Sequence, residues 1–217
     1  MGNDIRWPGA KHIIFDFGGV LFDIDYQLPV KAFAQLGYPS FVELYAQSAQ
    51  NQWFDDLETG RLDNASFYRY LHSLVPSATT AQVENAWNCI LLALRTTEVE
   101  FVQSLRNRGV RTFLLSNTNA IHVAEFEQMI DQAMGLKSFY QAFDKIYYSN
   151  AIGIKKPYPE TFLEVCAWNG LQPEETLFID DSIQHVRGAA QAGLHVHHLQ
   201  PHERVSDLLA DFGEHFG

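Results

Sequence analysis

The chain has 217 residues, of which 47% are hydrophobic, and this suits one compact domain with a smaller subdomain. Its net charge of −11 argues against nucleic acid as a partner, and its apolar runs are too short to span a bilayer. Two cysteines form no disulfide framework, and the N-terminus lacks the apolar stretch of a signal peptide. We therefore expect a cytoplasmic protein that binds neither nucleic acid nor membrane, while its oligomeric state stays open.

Five short apolar runs, each bounded by polar residues or glycine, predict buried parallel strands. They cover residues 12–15, 112–115, 145–148, 176–179 and 195–198. Helical patterns at residues 97–108, 159–169, 183–192 and 204–212 lie between and after the later strands. This alternation predicts an α/β fold with a doubly wound parallel sheet that is covered by helices on both faces.

The first two predicted strands are separated by nearly one hundred residues, although a crossover between parallel strands needs only about 30. The intervening segment shows helical patterns at residues 29–36, 40–50, 64–74 and 81–92. We interpret residues 25–94 as an inserted helical cap. The core would then consist of residues 1–24 and 95–217.

Polar side chains follow the predicted strands, and ligands of open parallel sheets bind at that edge. They are Asp16, Ser116, Asn117, Lys156, Asp180 and Asp181. Crowded carboxylates need a cation or raised pKa values, and Mg²⁺ prefers oxygen ligands. The lysine and the hydroxyl suit phosphate oxygens, because phosphoryl transfer depends mostly on positioning and charge neutralisation. A carboxylate at this edge could also attack phosphorus directly.

Four segments, in their order and spacing, resemble the motifs of the haloacid dehalogenase (HAD) superfamily of hydrolases. They are Phe15–Leu21, Leu115–Asn117, Lys156-Pro157 with Phe162, and Phe178–Asp181. The helical insertion resembles the cap of the first cap class, and the resemblance covers essentially the whole chain. The segments at residues 23–25 and 116–119 most resemble bacterial alpha-glucose-1-phosphate phosphatases.

The resemblance implies a role for each matching position. Asp16 would be the nucleophile and a metal ligand, together with the backbone carbonyl of Gly18 and the carboxylate of Asp180, and Asp181 would hold a metal-bound water. Ser116, Asn117 and Lys156 would bind the transferring phosphoryl group. The implied function is a Mg²⁺-dependent phosphatase that hydrolyses a small phosphorylated metabolite, such as a sugar phosphate, through an aspartyl phosphate.

Two positions depart from the family pattern. The residue two after the nucleophile is often a second aspartate, which protonates the leaving group, but here it is Gly18. Asp23, Asp25 or water could replace that acid. The position four after Asp181 is often asparagine and here is His185, which would weaken the support around the metal ligands.

Several alternatives stay open at this point. The chain could be a haloacid dehalogenase, which needs neither the acid nor magnesium, or a non-catalytic protein that binds a phosphorylated metabolite. Four histidines near the C-terminus, at positions 195, 197, 198 and 202, could form a zinc site. Aromatic residues of the insertion, such as Trp53 and Phe54, belong to the cap core or line the substrate pocket. Lys155 is interpreted as a solvated charge.

Overall fold

The computed structural model describes residues 6–45 and 51–212. Its strands are His12–Phe15 (β1), Phe22–Ile24 (β2), Leu91–Leu94 (β3), Arg111–Ser116 (β4), Lys145–Tyr148 (β5), Thr176–Asp180 (β6) and His195–His198 (β7). Five of them form a parallel sheet in the order β5-β4-β1-β6-β7. The doubly wound parallel sheet is confirmed, and β1 lies at its centre.

Helices cover both faces of this sheet and form a separate group between β2 and β3. The group consists of Gln27–Gln35 (α1), Phe41–Tyr45 (α2), Gln52–Glu58 (α3), Asn64–Leu74 (α4) and Thr80–Asn88 (α5), which we call the cap. The core helices are Thr96–Asn107 (α6), Ala120–Met134 (α7), Leu136–Gln141 (α8), Ser149–Ile152 (α9), Pro159–Asn169 (α10), Ile183–Gln191 (α11) and Val205–Leu208 (α12). Among the described residues, no helix is both long and apolar enough to cross a bilayer.

Alternation along the central strand builds the two layers of the core. Ile13 and Phe15 belong to one buried apolar cluster, whereas Ile14 belongs to another, because successive side chains of a strand point to opposite faces. Burial of both faces explains why the strands read as continuous apolar runs.

The cap has a hydrophobic cluster of its own, in which Phe33 and Phe41 stack with their ring centroids 4.0 Å apart. Two of its helices begin at side-chain caps that also stabilise their first turns: Asp63 of α4 accepts a hydrogen bond from Ser66 N, and Thr79 of α5 forms a capping box with Gln82. The cap therefore packs around aromatic side chains rather than around the sheet.

The structure corrects several predicted elements. The helix predicted over residues 81–92 ends at Asn88, and the apolar run that follows forms β3, which pairs antiparallel with β2. An apolar run this short is compatible with a strand or a helix, and the pairing with β2 determines that it forms a strand. Helices α3 and α7 were not predicted, although Asn51 and Asn119 cap their first turns. Part of the helix predicted over residues 40–50 lies outside the described residues, since residues 46–50 are not among them.

Candidate active site

The central position of β1 brings the ends of three strands together. Phe15 of β1 is in register with Leu114 of β4 and with Ile179 of β6. Beyond these residues the strands lead to Asp16, Ser116 and Asp180, all of which are buried. The three side chains predicted at neighbouring strand ends thus lie at one edge of the sheet.

Lys156 reaches this edge and lies between two carboxylates. Its Nζ donates to Asp16 Oδ1 at 2.6 Å and to Asp180 Oδ2 at 2.8 Å, and its side chain is fully buried. Burial alone would lower the pKa of Lys156, but the charges of Asp16 and Asp180 outweigh it and raise that pKa. The lysine is therefore a fixed cation beside the predicted nucleophile.

The backbone around Lys156 is held from two sides. The side chain of Asn117 accepts a hydrogen bond from Lys156 N at 3.0 Å and donates to Lys156 O at 2.9 Å. On α11, a Cβ at Gly188 would lie 1.8 Å from the carbonyl oxygen of Pro157, so the close approach of helix and loop requires glycine. Asn117, predicted to bind phosphate, thus uses its side chain to position Lys156.

Asp180 is fully buried, and its two oxygens accept several hydrogen bonds. Oδ1 accepts from Ser182 N at 2.7 Å, and Oδ2 lies 2.9 Å from His185 Nδ1. Burial would raise the pKa of Asp180, but the charge of Lys156 and the hydrogen bond from His185 lower it. His185 therefore orients Asp180 directly, a role that sequence reasoning missed because helix α11 brings the histidine back over the strand end.

Unbalanced negative charge is concentrated around these groups. Burial and the charge of Asp180 raise the pKa of Asp16. Part of Asp181 is exposed, but its carboxylate packs against Gly19, where a Cβ would lie 2.1 Å from Asp181 Oδ2. Desolvation and the charges of Asp16 and Asp180 raise the pKa of Asp181 to about 7. Three carboxylates thus lie around one buried lysine, which pairs with Asp16 and Asp180.

A divalent cation fits this arrangement. Asp16, Asp180 and His185 offer ligand atoms that all lie within 4.8 Å of one another, and this is the one such group in the described part of the chain. The two carboxylates are the hard oxygen ligands that Mg²⁺ prefers, and the excess negative charge favours a cation. Gly18, whose carbonyl was predicted as a further ligand, lines the same cavity, whereas the C-terminal histidines form no comparable group among the described residues.

A cavity of about 420 Å³ opens above the strand ends, within the usual size range of small-molecule sites. Its core side includes Asp16, Gly18, Ser116, Asn117, Thr118, Asn119, His122, Lys155, Lys156 and His185. The cap side includes Tyr45, Asn51, Phe54, Asp55, Leu57, Glu58 and Trp87. Phe54 thus lines the cavity, as one of the two interpretations of the cap aromatics predicted.

The two predicted replacements for the missing acid do not line this cavity. Asp23 Oδ1 pairs with Arg95 Nε at 2.7 Å, and Asp25 Oδ1 accepts a hydrogen bond from Gln27 N at 2.8 Å. Arg95 also donates to the carbonyl oxygen of Gly19 at 2.9 Å. Asp23 therefore helps to hold the turn that follows the predicted nucleophile.

Lys155 joins the core to the cap, and its interpretation as a solvated charge is wrong. Its side chain is only 12% exposed and pairs with Asp55 and, at 2.9 Å, with Glu58, both on α3. Nearby, a Cβ at Gly60 would lie 2.3 Å from the carbonyl oxygen of Asn150, so the turn after α3 packs directly on α9. Sequence patterns gave no signal for these contacts, because their partners lie about a hundred residues apart.

His122 forms a second link between core and cap. Its ring stacks on Trp87 with centroids 4.9 Å apart, Asn119 Nδ2 donates to its Nδ1, and its Nε2 lies 3.4 Å from Trp87 O. Burial lowers the pKa of His122 to about 4, so the ring is neutral near pH 7. These contacts indicate that His122 positions the cap rather than transferring protons.

Comparison with known proteins identifies the family. A model of the haloacid dehalogenase-like hydrolases matches residues 10–193. D-ribitol-5-phosphate phosphatase of Bacteroides thetaiotaomicron is 30% identical over 184 residues, which cover 84% of this chain and 88% of that protein. A similar solved structure is that of a HAD family enzyme from Bacteroides thetaiotaomicron, an aspartate-to-alanine mutant in complex with magnesium and inorganic phosphate. It aligns with a TM-score of 0.83 and 27% sequence identity, and the alignment covers 93% of this chain and 99% of that chain. A HAD-like family hydrolase from Porphyromonas gingivalis aligns with a TM-score of 0.79 at 32% identity, covering 93% and 97% of the two chains. The chain therefore belongs to the haloacid dehalogenase-like hydrolase family.

Proposed function

We propose that this chain is a Mg²⁺-dependent phosphatase that hydrolyses a small phosphorylated metabolite through an aspartyl phosphate on Asp16. The observation that carries the proposal is the buried Lys156, which lies between Asp16 and Asp180 at the base of a cavity. Such a site combines a nucleophile, a fixed cation and a place for a metal, which are the parts that phosphoryl transfer requires.

In the first step a carboxylate oxygen of Asp16 attacks phosphorus, and the bond between phosphorus and the ester oxygen breaks. The leaving oxygen takes a proton from solvent and departs as an alcohol. A water molecule then attacks phosphorus and releases a proton to solvent, the bond to Asp16 breaks, and inorganic phosphate leaves. Asp16 ends as it began, so each turnover consumes one ester and one water.

The other residues position these atoms. Lys156 neutralises charge on the phosphoryl oxygens and orients Asp16, while Ser116 offers a hydroxyl to the same oxygens. Asp16, Asp180 and the carbonyl of Gly18 would hold Mg²⁺, and Asp181 would bind water beside it. When bound, Mg²⁺ neutralises the negative charge of the phosphoryl group during transfer.

The known relatives support a small phosphorylated substrate. One is named for D-ribitol 5-phosphate and another for glyceraldehyde 3-phosphate, while a structural neighbour holds magnesium and phosphate. We extend this to a sugar or polyol phosphate for the present chain. The more specific resemblance to alpha-glucose-1-phosphate phosphatases stays a prediction, as do the cytoplasmic location and the absence of a nucleic acid partner.

One assay separates this function from its alternatives. Purified protein should release phosphate from a generic aryl phosphate with Mg²⁺ and lose that activity with a chelator. A haloacid dehalogenase would instead release halide from a 2-haloacid in the presence of the chelator. A non-catalytic binding protein would bind phosphate esters without turnover. Either of the last two results would overturn the proposal.

A further inference from the structure

The cap side of the cavity carries its own group of charges. Asp55 and Glu58 lie one turn apart on α3, and both pair with Lys155 of the core, at 2.9 Å in the case of Glu58. All three residues line the cavity. Burial would lower the pKa of Lys155, but the two carboxylates outweigh it and raise that pKa, so the lysine stays charged and paired. We call this group the outer trio; its net charge is −1.

The outer trio leaves no cation for a second anionic group. Among the described residues that line the cavity, the lysines are Lys155, held by the outer trio, and Lys156, held by the nucleophile and Asp180. His122 is neutral near pH 7, and His185 is engaged by Asp180. Residues 46–50, outside the described ranges, are Ala-Gln-Ser-Ala-Gln and carry no charge.

The aromatic part of the cap wall is unfavourable for an anion as well. Phe54 and Trp87 lie nearly parallel, with centroids 5.7 Å apart and an interplanar angle of 9°, and Tyr45 packs against both. A carboxylate or second phosphate placed against this wall would lose hydration without gaining a partner, and it would face the negative outer trio. Uncharged rings and carbon chains, in contrast, pack well on aromatic faces.

We infer that the site selects phosphate monoesters whose leaving group carries no negative charge, and that the outer trio of Asp55, Lys155 and Glu58 enforces this exclusion. The inference rests on the proposed phosphatase function and adds the class of leaving group to it. Neutral polyols, neutral sugars and uncharged alcohols are accepted on this basis. Bisphosphates and phosphorylated carboxylic acids are rejected.

Two esters of matched shape test the selection. They are 4-carbamoylphenyl phosphate and 4-carboxyphenyl phosphate, which differ at the far end of the leaving group by one negative charge. With Mg²⁺, wild-type protein should hydrolyse the carbamoyl ester with a kcat/KM about tenfold higher or more, since burying an unpaired charge beside like charges disfavours binding.

Variants of the outer trio then change its charge in steps. Glu58→Gln and Asp55→Asn each raise the net charge from −1 to 0, and the double variant raises it to +1. The ratio of the two kcat/KM values should fall by roughly tenfold at each step, because like charges within a few ångströms of each other repel even where water partly screens them. The intrinsic reactivity of the two esters cancels in this comparison. Asp56→Asn is the matched control, because Asp56 is on the same helix but pairs with Arg61 outside the cavity.

The outcomes separate the two hypotheses. No hydrolysis of either ester by wild-type protein with Mg²⁺ would overturn the phosphatase function itself. Hydrolysis of both esters with equal kcat/KM, or a ratio that stays constant from wild type to the double variant, would overturn the selection while leaving the phosphatase function intact. Glu58→Gln and Asp55→Asn make the same change in net charge. If one of them does not fold, the other still tests the selection.

Discussion

Two consecutive lysines of the core, Lys155 and Lys156, each lie between two carboxylates; the partners of Lys155 belong to the cap, and those of Lys156 belong to the core. The core group has its acids at the ends of β1 and β6, and the lysine and Asp180 are fully buried. The outer trio has its acids on one turn of α3, where the side chains of Asp55 and Glu58 remain 24% and 33% exposed. A lysine between two carboxylates therefore occurs twice, once in a buried site and once in a partly solvated site.

Burial gives the two groups different strengths. Removing one partner of a buried ion pair leaves an uncompensated charge and costs about 3–5 kcal/mol, whereas exposed pairs contribute about 0–1 kcal/mol. The core group is thus fixed before substrate arrives, as electrostatic catalysis requires. The outer trio is more solvated and contributes less to stability, so we expect it to tune recognition rather than chemistry. The predictions below test this division.

Asp16→Asn should have the largest effect, because the amide is a poor nucleophile and removes a metal ligand charge. We expect kcat to fall by about 10⁴-fold or more, as for the loss of other catalytic nucleophiles. The fold should be retained, since one of the crowded carboxylates is neutralised. Phosphate release and thermal unfolding should be measured together, with Asp56→Asn as the control on the cap. Residual turnover near the wild-type rate would contradict the assignment of the nucleophile.

The missing acid at Gly18 should make the rate depend steeply on the leaving group. A positioned acid contributes about 10²–10⁴-fold, so alkyl phosphates should react slower than aryl phosphates by that order in single-turnover experiments. Asp23→Asn and Asp25→Asn should leave the slope unchanged, because neither residue lines the cavity. A slope that becomes steeper in one of these variants would identify that residue as the acid after all.

Lys156→Met should separate the core group from the outer trio most clearly. It removes the cation between Asp16 and Asp180, so we expect kcat to fall by roughly 10²–10³-fold and stability to fall by about 3 kcal/mol. Added Mg²⁺ should recover part of the lost stability, since it replaces the missing positive charge. Chemical denaturation with and without Mg²⁺ would measure both effects; an unchanged unfolding midpoint without metal would argue against a structural role for the lysine.

Lys155→Met should be milder, as expected for a partly solvated group. We predict about tenfold lower kcat/KM for a neutral ester, mainly through KM, and a loss of stability of about 1 kcal/mol. Lys155→Arg, which keeps the charge, should recover most of the activity. If Lys155→Met lowers kcat as much as Lys156→Met does, the division between the two groups fails.

His122 gives the smallest effect, which appears only on acidification. Its folded pKa of about 4 lies below its usual value of 6.5, so the unfolded chain binds more protons between these values. The contribution of His122 to stability is therefore complete above pH 6.5 and is lost as the pH falls. Between pH 7 and pH 5.5 the loss should be about 1 kcal/mol. His122→Gln should remove this part of the pH dependence in denaturation curves, and identical slopes in both proteins would exclude it.

The core of the molecule was predictable from the sequence for a physical reason. Buried parallel strands are continuous apolar runs, and ligands meet at their carboxyl ends, so Asp16, Ser116 and Asp180 could be placed together from local patterns. Helix α7 also has local signals of its bounds, since Asn119 caps its first turn and Gly135 follows its last residue.

Contacts between distant segments were not predictable in this way. The pairing of Lys155 with α3 depends on how the cap packs on the core, and the spacing of apolar residues in the sequence does not predict that packing. The hydrogen bond from His185 to Asp180 depends on the entry of α11 over the strand end. The strand β3 also depends on a partner, because its apolar run is ambiguous until β2 pairs with it.

The close contact between Gly60 and the carbonyl oxygen of Asn150 suggests a way to change the distance between the cap and the core. Gly60 has φ of +70°, and a single added carbon would lie 2.3 Å from that oxygen. An alanine at this position would strain its own backbone, and we expect it to push α3 away from α9 without touching any group at the strand ends. We expect such a protein to hold the cap further from the core and to accept bulkier esters.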